Sequence, residues 1–266
     1  DNGIEAPRLG VAWDGSGRGS DGTIWGGEFF YVGDTTPIRV AHLRPVPLPG
    51  GEKAVKEPRR AALGLLYELD GPRVFDRSEI RRKGWFPDSE IGVLNAMLAR
   101  KFQSPVTSSM GRLFDAVAFL LGLAAINSFE GQAAMALEFA LDGVRNEESY
   151  CLPLFDVGSN RPMLLDWEGM IRSIIDDRDG GVPVGTIAAR FHNALIEAIV
   201  AVAASVKEEK VALSGGCFQN RYLTEHAVAR LKRAGFRPYW HRRIPPNDGG
   251  LAVGQLAAAA HVFAKE

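Results

Sequence analysis

Apolar and polar positions change period several times along the chain, and each change marks a predicted element. Arg8 to Trp13 reads as a buried strand that enters a turn at Asp14-Gly15-Ser16-Gly17-Arg18-Gly19. Thr23 to Val32 and Pro37 to Leu43 follow as second and third strands of an antiparallel meander. Pro45 to Glu57 is a Pro/Gly connection, and Pro58 opens a helix to about Leu69 that Gly71-Pro72 closes. Asp88 to Lys101 is a further helix, with Asp88 as its N-cap. The segment from about 52 to 104 thus reads as a helical insertion.

Beyond it, a polar turn at Pro105 to Ser109 leads into a helix that is apolar almost all round, the pattern of a buried helix. Asn127 to Leu141 is another helix. Arg145 to Gly185 carries weak strand signals at Tyr150 to Phe155 and Met163 to Leu165 and no motif. Thr186 to Lys207 is a long amphipathic helix. Val211 to Leu213 is a short strand that empties into Ser214-Gly215-Gly216. A helix with Leu223, Ala227, Val228 and Leu231 on one face follows and stops at Gly235. A strand-like run from Phe236 to Ile244 ends in Pro245-Pro246-Asn247-Asp248-Gly249-Gly250, and an Ala-rich helix closes the chain. The order points to one α/β lobe with a mixed sheet.

Composition adds exclusions. The 266 residues carry a net charge of −1, which removes the electrostatic case for nucleic-acid binding. The short basic run Arg81-Arg82-Lys83 reads as solvated face. No run reads as a membrane span or a signal peptide. Cys151 and Cys217 form neither a disulfide framework nor a metal spacing, which favours a reducing compartment and a cytoplasmic location.

The candidate chemistry lies at three glycine turns far apart in sequence. A strand that empties into a glycine turn and then a helix suits phosphate, because backbone N–H groups face it with no side chain intruding. GxxxxGK[ST], strand-framed GxGxxG, HExxH and GxSxG are all absent. Ser214 lacks a matching histidine context for a serine hydrolase. The split turns suit an actin or sugar-kinase type of lobe. Asp14 is either a turn aspartate bonding its own backbone or a metal–phosphate carboxylate. Asp14 and Asp248 together could hold a divalent cation; carboxylates alone suit Mg²⁺ or Mn²⁺, and added histidines suit Fe or Zn. Asp115 is the only acid on its apolar helix and needs a partner. That partner is the Ser/Thr turn, Arg112 at i−3, or a ligand hydroxyl. Glu130 is either a helix-start acid or, beside Gly131, a close-approach site. His192 reads as a packed, hydrogen-bonded core histidine.

Six ordered segments carry a resemblance: WDGSGRGSDGTIWGGEFF from Trp13, SSMGRLFDAVAFLLG from Ser108, FEGQAAMALE from Phe129, ARFHNAL from Ala189, SGGCFQNRYL from Ser214 and PPNDGGLAVGQ from Pro245. Over nearly the whole chain they resemble the C-terminal carbamoyltransferase domain of the HypF hydrogenase-maturation family. That resemblance implies an actin-like (ASKHA) fold and transfer of a carbamoyl group from carbamoyl-adenylate, made from ATP in another domain, to the C-terminal cysteine of a partner, HypE. It implies that Asp14 and Asp248 are metal ligands and that Gly215 and Gly216 approach the adenylate. It further implies that Gly111, Asp115 (on the ribose) and Glu130 hold the adenosine, with Asn220 beside them. The family's HHHAH metal motif does not occur among His42, His192, His226, His241 and His261. The chain therefore resembles the second lobe of the transfer domain, and as an isolated piece it is expected to bind metal weakly and to be inactive. Alternatives on the same fold are an O-carbamoyltransferase, an ATP-dependent small-molecule kinase, or a non-catalytic nucleotide-binding or partner-docking module.

Overall fold

The computed structural model describes residues 2–4, 6–33, 36–77, 80, 85–158 and 161–263, without the side chains of 261–263. The basic run at 81–83 lies outside the described residues. Strands β1 (Arg8–Arg18), β2 (Ile24–Val32), β3 (Ile38–Leu43), β4 (Val46–Pro47), β5 (Val106–Thr107), β6 (Leu154–Phe155), β7 (Met163–Leu165), β8 (Lys210–Ser214) and β9 (Arg237–Trp240) form one mixed sheet among the described residues. Its main order is β6-β7-β3-β2-β1-β8-β9, with β4 and β5 paired beside β2. The meander β1-β2-β3 is antiparallel, and β8 and β9 add in parallel beside β1.

The helices are α1 (Glu52–Lys56), α2 (Pro58–Asp70), α3 (Asp88–Ala99), α4 (Met110–Leu120), α5 (Gln132–Phe139), α6 (Glu168–Asp179), α7 (Val184–Val206), α8 (Arg221–Arg233) and α9 (Leu251–Phe263). Leu63 and Leu66 of α2 share one buried core with Leu113 and Val117 of α4 and Phe191 and Leu195 of α7. By length and composition α7 is apolar enough to cross a membrane, but 67% of its most apolar window is buried inside the fold. Its apolar residues cover the sheet, so the apolarity is that of a core helix.

Several boundaries differ from those expected, each for a physical reason. β1 does not turn at Asp14. It continues to Arg18 through a bulge between Trp13 and Gly17, because Gly17 and Arg18 pair with Trp25 and Ile24. The turn proper spans only Gly19 to Thr23, closed by Gly19 N–H donating to Thr23 O at 2.9 Å. Asp88 is the first helical residue of α3, and Pro87 occupies the cap position. α5 begins only at Gln132, since Gly131 is its left-handed N-cap at φ 76°. Glu130-Gly131 is therefore a turn before the helix, not its interior. α6 is a helix where the sequence shows no clear pattern. Met170, Ile171, Ile174 and Ile175 form its buried stripe, flanked by Gly169 and a run of acids that blur the period.

His192 is fully buried. Its Nδ1 lies 2.8 Å from Ala188 O and its Nε2 lies 2.9 Å from Asn220 Nδ2. Nδ1–H therefore donates to the carbonyl and Nε2 accepts from the amide, a neutral tautomer assigned by its partners. Burial pushes its pKa down to about 4. It is the packed core histidine the pattern predicts.

Candidate functional site

The site is built where β1, β8 and the N-terminus of α4 converge. Ser109 caps α4 by accepting from Arg112 N–H at 3.1 Å. Its hydroxyl also reaches back to the Asp14 and Gly15 carbonyls at 2.9 and 2.7 Å. This clamp brings α4 so close to β1 that a Cβ on Gly111 would stand 2.8 Å from Gly15 Cα. Gly111 is thus a packing requirement that also exposes the helix start to the cleft.

Gly215 is first of all a packing requirement of the sheet. Its φ is +104°, and a Cβ there would lie 2.1 Å from Trp13 O. Its N–H donates to Pro246 O at 3.0 Å. Gly215 lets β8 pass against β1 and ties the last loop to the sheet, so its amide is committed to the fold. Gly216 instead opens a short 3₁₀ turn, Gly216–Gln219, and a Cβ on it would point at Asp14 Oδ1, 3.0 Å away.

A cleft of about 410 Å³ follows from this packing. Asp14, Gly111, Asp115, Glu130, Gly216 and Asp248 all line it, although they come from five separate stretches of chain. A contiguous hollow of about 330 Å³ between α5 and the 3₁₀ turn shares Glu130 and Gly216 with the cleft and adds Asn220. Asn220 itself is committed at both ends. Its Oδ1 caps α8 by accepting from Leu223 N–H at 2.8 Å, and its Nδ2 holds His192. That leaves it a structural wall of the hollow. Glu130 is exposed at the mouth. Phe129 and Met135, 55% and 41% exposed, supply apolar surface beside it.

Asp115 is the buried acid of the cleft, 2% exposed. Arg112 Nη1 lies 2.8 Å from its Oδ2, and the Asn127 side chain hydrogen-bonds to it. The arginine is out of alignment, so Asp115 Oδ2 and Arg112 Nε both lack a hydrogen-bond partner. Desolvation dominates over the Arg112 charge and lifts the carboxyl to about 6 from the usual 3.8. Arg112 also donates to Val55 O at 3.2 Å, which pins α1 to α4. In the sequence Arg112 stands out only as the i−3 partner of Asp115, yet it is the cation of the cleft.

A raised carboxyl pKa has a definite sign. Folding is not penalised by Asp115 below its unfolded value near 3.8. The contribution is lost as pH rises through about 6, where the buried group must ionise. Two units correspond to about 3 kcal/mol at most. Denaturant unfolding at pH 4 and pH 7, compared between wild type and Asp115→Asn, is expected to show this loss in wild type only. Equal pH dependence in both would remove Asp115 as its source.

Asp14 and Asp248 line the same cleft, but Asp14 Oδ1 already accepts from Gly15 N–H at 2.7 Å. No cluster of three His, Cys, Asp or Glu side chains able to hold a metal occurs among the described residues. The donor set present therefore fits part of a hard-cation site and does not complete one. The structure also pairs two residues whose proximity is hidden in the sequence: Ser214 Oγ lies 2.9 Å from His241 Nε2. The histidine that Ser214 lacks locally arrives from the next strand, because β8 and β9 are adjacent.

Comparison with known proteins places this architecture. Residues 10–255 match the family model of the carbamoyltransferase, Kae1-like domain, second subdomain. The chain is 43% identical over 270 residues to the carbamoyltransferase HypF of Synechocystis sp., covering 96% of this chain and 34% of that protein. It is 36% identical to HypF of Rhizobium leguminosarum bv. viciae, again spanning 34% of its length. A crystal structure of full-length HypF in the phosphate- and nucleotide-bound form superposes with a TM-score of 0.87 at 34% identity, over 99% of this chain and 40% of that one. The T. kodakarensis HypF structure gives 0.84 at 28% identity. The chain thus spans about a third of the length of these relatives. With the strand order, the cleft and these matches in agreement, the chain belongs to the HypF carbamoyltransferase family, as its Kae1-like second subdomain.

Proposed function

We propose that this chain is the nucleotide-binding half of a transfer site that moves a carbamoyl group from carbamoyl-adenylate to a cysteine thiol, the C-terminal cysteine of HypE. The observation that carries the reading is the cleft itself. Five distant stretches converge on one hollow that offers a helix start, a buried carboxylate, a cation and an apolar flank. In this reading Asp115 Oδ2, ion-paired with Arg112 but without an aligned hydrogen bond, accepts from a ribose hydroxyl. Glu130 and Phe129 flank the nucleoside at the mouth. Gly111, Gly216 and Arg112 face the phosphate, two by backbone and one by charge. The phosphate- and nucleotide-bound state of the related HypF is consistent with such a cleft.

Asp14 and Asp248 contribute two oxygen ligands toward a divalent cation, with the remaining donors supplied from outside this chain. A bound cation would polarise the carbonyl or phosphate oxygens at this position. The chain's own residues bind and orient the nucleotide. The free thiols Cys151 and Cys217 fit a reducing compartment such as the cytoplasm. Burial and the nearby Asp14 push the Cys217 thiol pKa upward, so it is protonated and unsuited to act as the nucleophile.

Calorimetric titration of this chain with AMP and with ATP tests the reading. Saturable one-site binding is expected for both, stronger at pH 7.5 than at pH 5, since the ionised Asp115 is the better acceptor. No heat with either nucleotide at millimolar concentration would overturn it.

A further inference from the structure

Two cavities meet at Asp14. One is the cleft on the α4 side. The other, about 630 Å³, opens on the opposite side, between the β1–β2 arm and the last loop with α9. Asp14, Asn247 and Asp248 line both. Ser214 and His241 stand side by side in the second cavity for a simple reason. Leu213 and Trp240 are register partners in the parallel β8–β9 pair, so the next residue of each strand emerges together. They lie at the C-terminal edge of parallel strands, where α/β sheets place their ligands.

The pair has the properties of a proton acceptor. Ser214 Oγ and His241 Nε2 are 2.9 Å apart. Burial depresses the His241 pKa, so the ring is neutral and has a lone pair to offer at pH 7. For Nε2 to accept from Ser214 the ring proton sits on Nδ1, which is buried without a partner in the neutral and the protonated ring alike. The acids that share the cavity are less suited. Glu28 is held by Ser108 and by the Arg39 guanidinium. Asp14 Oδ1 accepts from Gly15. Asp248 is exposed. The remaining walls, among them Trp25, Phe30, Pro245 and Leu251, are mostly apolar and suit a peptide carrying a thiol better than a polyanion.

We infer that the Ser214–His241 pair takes the proton of the incoming nucleophile, which enters through this second cavity while the nucleotide occupies the α4 side. This rests on the carbamoyl-transfer reading above. In the step, a C–S bond forms at the carbamoyl carbon and the C–O bond to phosphate breaks. AMP leaves with the electron pair. The thiol proton passes to Ser214 Oγ as the serine proton passes to His241 Nε2, and from there to solvent.

The test uses the complete carbamoyltransferase polypeptide carrying this chain and HypE ending in cysteine or in selenocysteine, whose selenol is already ionised at neutral pH. With the cysteine acceptor, His241→Gln and Ser214→Ala are each expected to slow transfer by about 100-fold, the low end for general-base catalysis. With the selenocysteine acceptor the loss is expected to shrink below about tenfold, since no proton needs removing. AMP affinity is expected to stay at the wild-type value in both variants. Equal losses with both acceptors would mark the pair as structural and overturn the inference, as would full activity of both variants with cysteine. Wild-type protein that binds AMP but fails on both acceptors overturns the carbamoyl-transfer reading, and the inference with it. Absence of AMP binding overturns the nucleotide assignment first.

Discussion

Gly215→Ala is expected to destabilise the chain by about 4 kcal/mol, at the upper end for a single substitution. Two costs add. At φ +104° and ψ 159° the backbone lies in a region that side-chain-bearing residues avoid at a cost of about 1–3 kcal/mol. The new methyl would also stand 2.1 Å from Trp13 O, a backbone atom that cannot rotate away. Relief requires β8 to separate from β1, and the ladder from Leu9–Val211 to Ala12–Ser214 resists that. The same shift would break the Gly215–Pro246 hydrogen bond that anchors the Asp248 loop. Chemical denaturation monitored by circular dichroism measures the loss. Gly216→Ala is the control: its methyl meets the Asp14 carboxylate at 3.0 Å and Asn247 Cβ at an ordinary 3.9 Å, with no backbone atom in the way, so the fold should survive while nucleotide affinity falls. Similar stability losses for the two variants would show that Gly215 is not the constraint described.

Asp115→Ala is expected to weaken AMP binding by about 10- to 100-fold, the value of one hydrogen bond to a charged acceptor. The group removed is Oδ2, which has an ion-pair partner but no aligned hydrogen bond. The same change strips a buried guanidinium of its counter-charge, which costs about 3–5 kcal/mol when one partner of a buried pair is deleted. Lower affinity and lower stability would then be confounded. Asp115→Asn separates them. It keeps the shape and a hydrogen-bonding oxygen while removing the charge whose burial raises the pKa. It leaves an oxygen beside the guanidinium and fills the same volume, so it is expected to lose less stability at pH 7 than the alanine variant and still to bind AMP more weakly. Unchanged AMP affinity in the asparagine variant would take the ribose role away from Asp115.

Position 115 also shows how far local pattern carries. An acid on a helix apolar all round had to have a partner, and Arg112 at i−3 is one of those the spacing offers. Whether that partner satisfies the carboxylate depends on the direction of the guanidinium, which the contact of Arg112 with Val55 O sets from a distant segment. The Asn220 case runs the other way. It sits in a family motif at a helix start, which suggested a ligand contact, and the structure adds a structural role: its Oδ1 caps α8 and one N–H of its Nδ2 holds His192.

The sequence by itself determined the α/β class with a mixed sheet, the family, and most of the element order and core helices, α6 excepted. These rest on local signals: period-2 and period-3.6 apolar patterns, glycine turns and motif wording, which survive without knowledge of neighbours. Local oddity also singled out Asp14, Asp115, Glu130 and Asp248, which converge on the cleft, while Gly111 came from the family motif. The tertiary structure decided what each one does. β1 runs on past Asp14 because its partner is Trp25. Gly215 is needed for the close approach of Trp13. Ser214 gains a histidine because parallel pairing sets residue 214 beside residue 241. Such contacts join residues 8, 27 and 202 positions apart. No local pattern encodes which strand lies next to which.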